Sequence, residues 1–225
     1  MKDAAECEGL AASILEDANL PYPTDAWKLI AKFGVEVEYG RPGCKPHPKW
    51  DTEIERWVVY LDPLDRPERQ AAVALHELGH ILLTAHGLTN DEDHAWLIAG
   101  AMLMPRDEVL RALRRGATVE QLVELHPHAS HEMVGRRMVA LVTPRVLWVH
   151  DVAPVWKRPY KVVSPGWRWK TAAPTPIERE TMDVALAERG PVELVGGVRA
   201  WTAIDGPWTR VLCLSDPEVL LSQVA

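Results

Sequence analysis

The sequence predicts an α+β chain organised in three regions. Three observations predict it. Helical and strand periods alternate over the first hundred residues, three short helical stretches follow, and from Arg145 onward Pro, Gly, Trp and Val give short strands and turns. The regions are a helix–strand–helix module at 1–105, a short helical segment at 106–144 and a small β-rich module at 145–225.

The elements follow in order. Residues 3–17 form an amphipathic helix, and Pro21 and Pro23 break it. Asp25 to Phe33 has helical spacing and stops at Gly34, suited to the left-handed residue after a helix. Val35 to Tyr39 alternates apolar and polar residues as a half-buried strand. Arg41 to Trp50 holds three prolines and a glycine and reads as a loop. Arg56 to Leu61 reads as a strand, expected at a sheet edge. The strongest helix runs from about Asp65 to His86, with Asp65 as its cap, Pro67 in its first turn and Glu68 completing a capping box. Another opens near Thr89 or Asn90 and ends at Met104, before Pro105. Residues 106–116, 118–126 and 130–141 are short helices. Beyond them, RVLWVHDV, YKVV, PVELVG and TRVLCL read as strands around one helix at 176–189.

Composition narrows the function. The chain has 225 residues and a net charge of −7, so it is no general binder of nucleic acid. No apolar run approaches the roughly 20 residues needed to cross a bilayer, and the acidic N-terminal helix is no secretory signal. Three widely spaced cysteines, Cys7, Cys44 and Cys213, form no CxxC pair, which predicts a reducing, cytoplasmic setting. The ten Trp are expected mainly as packing residues.

The chemistry sits in the best helix. His76 and His80 are one turn apart on one face, so both imidazoles can reach a single metal ion. Glu77 lies about 100° around from His76, off the ligand line, where it can take a proton from a water that the metal activates. A chain of this composition should show HExxH by chance roughly 0.03 times. A hydrolytic zinc site needs a third protein ligand. His86 would supply it only if a glycine broke the helix where Leu83 stands. His94 is the leading candidate, and Asp91 and Glu92 are the alternatives.

HELGHILLTAHG followed by DEDHAWLIAGAMLMP resembles the ImmA/IrrE family of metallopeptidases, aligned on Ala95, Ala99, Leu103, Met104 and Pro105. The upstream DAWKLIAKFGVEVEY and RWVVYLDPLDRPERQ extend the resemblance over about residues 20–105. It implies a minimal zincin-like core and a cytoplasmic regulatory peptidase holding one zinc ion per chain. The family's third ligand is a glutamate directly before the aligned alanine. Here His94 stands in that place, so the expected set is His76, His80 and His94, with Glu77 as general base.

The resemblance also suggests a protein substrate, a helix-turn-helix repressor whose cleavage would release gene expression. An extended substrate is expected to pair with Trp57, Val58, Val59 and Tyr60 on the supposed edge strand. Tyr60, His126, His128 and His131 are the candidates for stabilising an oxyanion. Residues 118–141 have a helix-turn-helix rhythm but carry two Arg against three Glu, which disfavours direct DNA binding. The basic stretch Trp156–Lys170 suits a strand pair or stacking on bases. The contrasting expectation is a non-catalytic module that uses the same scaffold to hold a partner or DNA.

Overall fold

The computed structural model describes residues 2–142, 145–164, 172–194, 197–205 and 208–216. The chain divides into two units, Met1–Ser130 and His131–Ala225. Its class is α+β, with strands in a three-stranded and a five-stranded sheet among the described residues.

The first unit holds α1 (Lys2–Ala18), α2 (Ala26–Lys32), β1 (Glu36–Tyr39), β2 (His47–Asp51), β3 (Arg56–Leu61), α3 (Pro67–Ala85), α4 (Glu92–Leu103), α5 (Arg106–Arg114) and α6 (Val119–Leu125). Cys7, Ala11, Ile14 and Ala18 form a stripe at three- and four-residue spacing, and this buried face packs α1 on α4. Asp25 caps α2 by accepting from the Trp27 and Lys28 N–H groups at 3.0 and 3.1 Å. Gly34 ends α2 at a φ of +65°.

α3 begins differently from the sequence expectation. Arg66, not Asp65, is its N-cap residue and makes no side-chain cap bond. Pro67 takes the first helical position, where its missing N–H leaves one donor fewer to satisfy. Asp65 accepts instead from Arg69 Nε at 2.7 Å. From Ala71 to Gly79 every residue of α3 is buried. A helix apolar on all sides is one that neighbours cover all round, here α2, α4 and the sheet.

The sheet order is β1-β3-β2, with β1 parallel and β2 antiparallel to β3. Two expectations change. For Arg41 to Trp50 the prolines predict a loop, but His47–Asp51 forms strand β2. Arg56–Leu61, expected at the edge, is the central strand with a partner on each side. Pro48 is compatible with β2 because an edge strand needs donors on only one side. Val58 and Val59, adjacent and on opposite faces, are 1% and 0% exposed, so both faces of the centre are covered.

The second unit holds α7 (His131–Leu141), β4 (Val146–Ala153), β5 (Tyr160–Val163), α8 (Pro176–Glu188), β6 (Val192–Leu194), β7 (Val198–Asp205) and β8 (Trp208–Ser215). Its antiparallel sheet has the order β5-β4-β8-β7-β6. β7 was not read from sequence. A Thr175–Glu178 capping box starts α8, which packs Met182 and Ala185 with Val146, Trp148, Val198, Ala200, Val211 and Cys213. α7 lies against β4, packed closely at Gly135: a Cβ there would lie 3.1 Å from both Leu147 methyls, which would have to shift. Residues 165–170 of the basic stretch lie outside the described residues.

An ionic cluster ties α7 to this sheet. Glu132 accepts from Arg136 Nε at 2.8 Å, from the Tyr160 hydroxyl at 2.8 Å and from Arg210 Nη1. Arg210 also donates to Asp151 through Nε at 2.5 Å. Burial works to raise the Glu132 pKa, but Arg210 and Arg136 prevail and hold it below the usual glutamate range. A lowered folded-state value means that Glu132 stabilises the fold above the normal carboxylate range. That contribution is lost as pH falls through the depressed value. Glu132→Gln should therefore destabilise the protein at pH 7 by about 1–3 kcal/mol, by removing the carboxylate charge that Arg136 and Arg210 share. Urea denaturation at pH 7 and in acid checks it: the gap to wild type must narrow as pH falls.

Candidate metal centre

α3 presents His76 and His80 one turn apart, their ring centroids 4.6 Å apart and nearly perpendicular. Their Nε2 atoms lie 3.2 Å from each other. Glu92, first residue of α4, brings Oε2 to 3.2 Å from His76 Nε2 and Oε1 to 3.8 Å from His80 Nε2. These three side chains are the one group of potential metal ligands among the described residues.

The donor set fits a zinc ion. Tetrahedral bonds of about 2.0–2.1 Å place ligand atoms roughly 3.3–3.4 Å apart, close to the separations found here. Burial, and then the neighbouring His80, push the His76 pKa down to about 4, although Glu92 opposes the shift. His76 is therefore neutral near pH 7, the state a ligand requires. Its Nδ1 is buried and has no hydrogen-bond partner among the described residues. Its ring stacks instead on Trp96 of α4, centroids 4.2 Å apart and planes 28° apart.

Close helix contact explains why Glu92 is the residue that arrives. A Cβ on Gly79 would lie 3.0 Å from the Ala95 carbonyl oxygen and 3.3 Å from its Cα. Only a glycine in α3 lets the α4 main chain come this near. Ala95 therefore marks the face of α4 turned to α3, and Ala99, fully buried, continues it one turn on. Glu92 precedes Ala95 by three residues and shares that face.

His94 sits about 100° from Ala95 around the helix and joins no donor group. Its Nδ1 is 2.8 Å from Asp91 Oδ1, and its N–H donates to the same oxygen at 2.9 Å. Asp91, the N-cap, is thereby committed to holding the start of α4. Among the described residues the donor atoms that come together are those of His76, His80 and Glu92; His94, the expected third member, is not among them, because helical phase turns it elsewhere.

Glu77 is 6% exposed beside this group. Burial raises its pKa above the usual range, and Glu92 adds to the rise while His80, His47 and Lys45 oppose it. A carboxylate shifted this way is a stronger proton acceptor near neutral pH. β2, which begins at His47, packs against α3, the helix that carries Glu77.

The other sequence candidates are accounted for individually. Trp57, Val58, Val59 and Tyr60 lie on central β3, whose backbone already pairs on both sides, so they cannot form the edge to which a peptide strand adds. Tyr60 stacks on His47, centroids 5.2 Å apart. His126 is buried, with Nε2 3.0 Å from the Tyr22 hydroxyl. His128 is half-buried after α6, and His131 begins α7 in the second unit. Sequence reasoning missed Trp96 and β2 as parts of this site. The closest usable signal was Gly79 inside HELGH, a helix-interior glycine with no turn to make.

Among the described residues no helix is long and apolar enough to cross a membrane. Residues 30–139 match a peptidase family model described as the IrrE N-terminal-like domain, from within α2 to within α7. No curated protein matches the chain.

Proposed function

We propose that this chain, which belongs through residues 30–139 to the IrrE N-terminal-like family of metallopeptidases, is a zinc-dependent endopeptidase with His76, His80 and Glu92 as ligands. The observation that carries the proposal is the convergence of three donor atoms from α3 and α4 beside buried Glu77.

A zinc ion held there supplies Lewis acidity, which acidifies water and polarises the scissile carbonyl. The residues supply the rest. His76 and His80 contribute neutral nitrogens, and Glu92 a negative charge. Glu77, one residue from His76 and off the ligand line, accepts the proton of the attacking water and delivers it to the leaving amine. Burial of the His76 ring by Trp96 limits water around one side of the site and strengthens its electrostatics.

The substrate is a protein segment in extended form. It pairs with β2, the sheet edge beside Glu77, rather than with Trp57–Tyr60. The resemblance of the HELGH and HAWLIAGAMLMP segments points to a regulatory target, a helix-turn-helix repressor. A cytoplasmic setting suits such a target.

Competition of the purified chain with a chromophoric chelator tests the ligand set. Wild type should bind one zinc per chain. Glu92→Ala should weaken binding by at least about 100-fold, and His94→Ala by no more than about threefold. The reverse pattern would return His94 to the site. A wild type that binds no zinc would leave the scaffold as a partner-binding module.

A further inference from the structure

Asn90 lies in the connection between α3 and α4 and belongs to no motif. Its side chain nevertheless makes three contacts with the end of α3. Nδ2 donates to the His80 carbonyl oxygen at 3.3 Å and to Thr84 Oγ1 at 2.8 Å. Oδ1 lies 2.5 Å from His80 Nδ1.

Only one orientation of the amide satisfies all three. A backbone carbonyl oxygen accepts and never donates, so the amide nitrogen must be the atom that faces it. Turning the amide over would set two oxygens against each other. With Nδ2 placed, Oδ1 faces the imidazole, and an acceptor there requires a hydrogen on His80 Nδ1. A neutral imidazole has one N–H, so Nε2 keeps its lone pair. Nε2 is the atom that meets His76 and Glu92.

We infer that Asn90 is the positioning residue of this centre, fixing both the Nδ1–H tautomer and the rotation of His80 before any ion binds. The inference rests on reading His76, His80 and Glu92 as a metal site. His76 has no such tether among the described residues, where its Nδ1 meets no partner and stacking on Trp96 restrains its ring. Hydrogen-bond control of the histidine pair therefore runs through Asn90. Without it, an unrestrained neutral imidazole favours the Nε2–H form, which points a hydrogen where the ion must go. Binding then requires the ring to change tautomer first.

The test uses the full chain with 15N-labelled histidine, freed of metal and kept near neutral pH. Long-range proton–nitrogen spectra should show His80 as Nδ1–H in the wild type and in Asn90→Asp, which keeps an acceptor oxygen. Asn90→Ala should shift it toward Nε2–H. In chelator competition Asn90→Ala should weaken zinc binding about tenfold. The wild-type spectrum alone is decisive if Asn90→Ala does not fold. An Nε2–H wild type overturns the inference, as does an Asn90→Ala chain with unchanged tautomer and zinc affinity. A wild type that shows Nδ1–H but binds no zinc sinks the metallopeptidase reading and leaves the Asn90 assignment to the tautomer standing.

Discussion

On the proposed reading, Glu77→Gln is expected to lower peptide-bond hydrolysis by about 100- to 10,000-fold while zinc stoichiometry stays at one per chain. Glutamine keeps the size and shape of the side chain but accepts no proton at neutral pH. Cleavage of a quenched-fluorescence peptide library measures the loss, and the chelator assay shows that the centre is intact. Stability separates lost chemistry from lost fold. Burial raises the Glu77 pKa, so the folded state disfavours the charged form. A raised carboxyl value gives stability that is full at low pH and disappears as pH rises through that value. At pH 7 the metal-free Gln variant should therefore unfold at the same urea concentration as wild type or a higher one. A variant that cleaves at the wild-type rate would remove Glu77 from the mechanism.

The second large effect comes from a methyl group. Gly79→Ala puts a Cβ at 3.0 Å from a main-chain oxygen of α4, where no side chain can rotate away. Alanine favours the helix by about 1 kcal/mol, but overpacking costs about 1–3 kcal/mol, so a net loss near 1 kcal/mol is expected. The functional loss should be greater than that figure suggests. α4 relieves the clash by moving outward, and Glu92 moves with it from the two histidines. Zinc affinity should fall by at least about tenfold although no ligand has changed. Ala95→Gly should not rescue the variant, because the atoms met are the carbonyl oxygen and Cα that glycine retains. Chelator competition on the single and double variants checks both statements. Rescue by Ala95→Gly would show that side-chain crowding, not main-chain approach, sets the helix spacing.

How far the sequence could be read depended on whether a feature was local. The HExxH spacing is a property of one helix, so the placing of His76, Glu77 and His80 together on α3 was legible. Helix ends marked by Asp25, Gly34 and Pro105 were legible for the same reason. Which side chain of α4 comes to meet the two histidines was not, because the phase of α4 is set by the contact of Ala95 with Gly79, sixteen positions away in sequence. Alternation revealed β3 but said nothing of which strands lie beside it, and its central place moved the expected substrate edge. β2 was hidden by its proline, an edge-strand privilege that composition cannot distinguish from a loop. Asn90 lay beyond reach because its role depends on a folded loop and a carbonyl group.

Pro48 has a consequence for assembly. A proline in an edge strand turns its missing donor outward. Pro46, two residues earlier and so on the same side of an extended chain, also lacks an N–H. This stretch of rim can thus receive hydrogen bonds but offers few in return. A neighbouring copy of the strand, which needs reciprocal bonds along its length, finds a poor template and is kept from polymerising. A short peptide needs fewer rungs and can supply the hydrogens itself. The prolines would thus act as a filter on the open rim, passing a transient guest and refusing a permanent sheet.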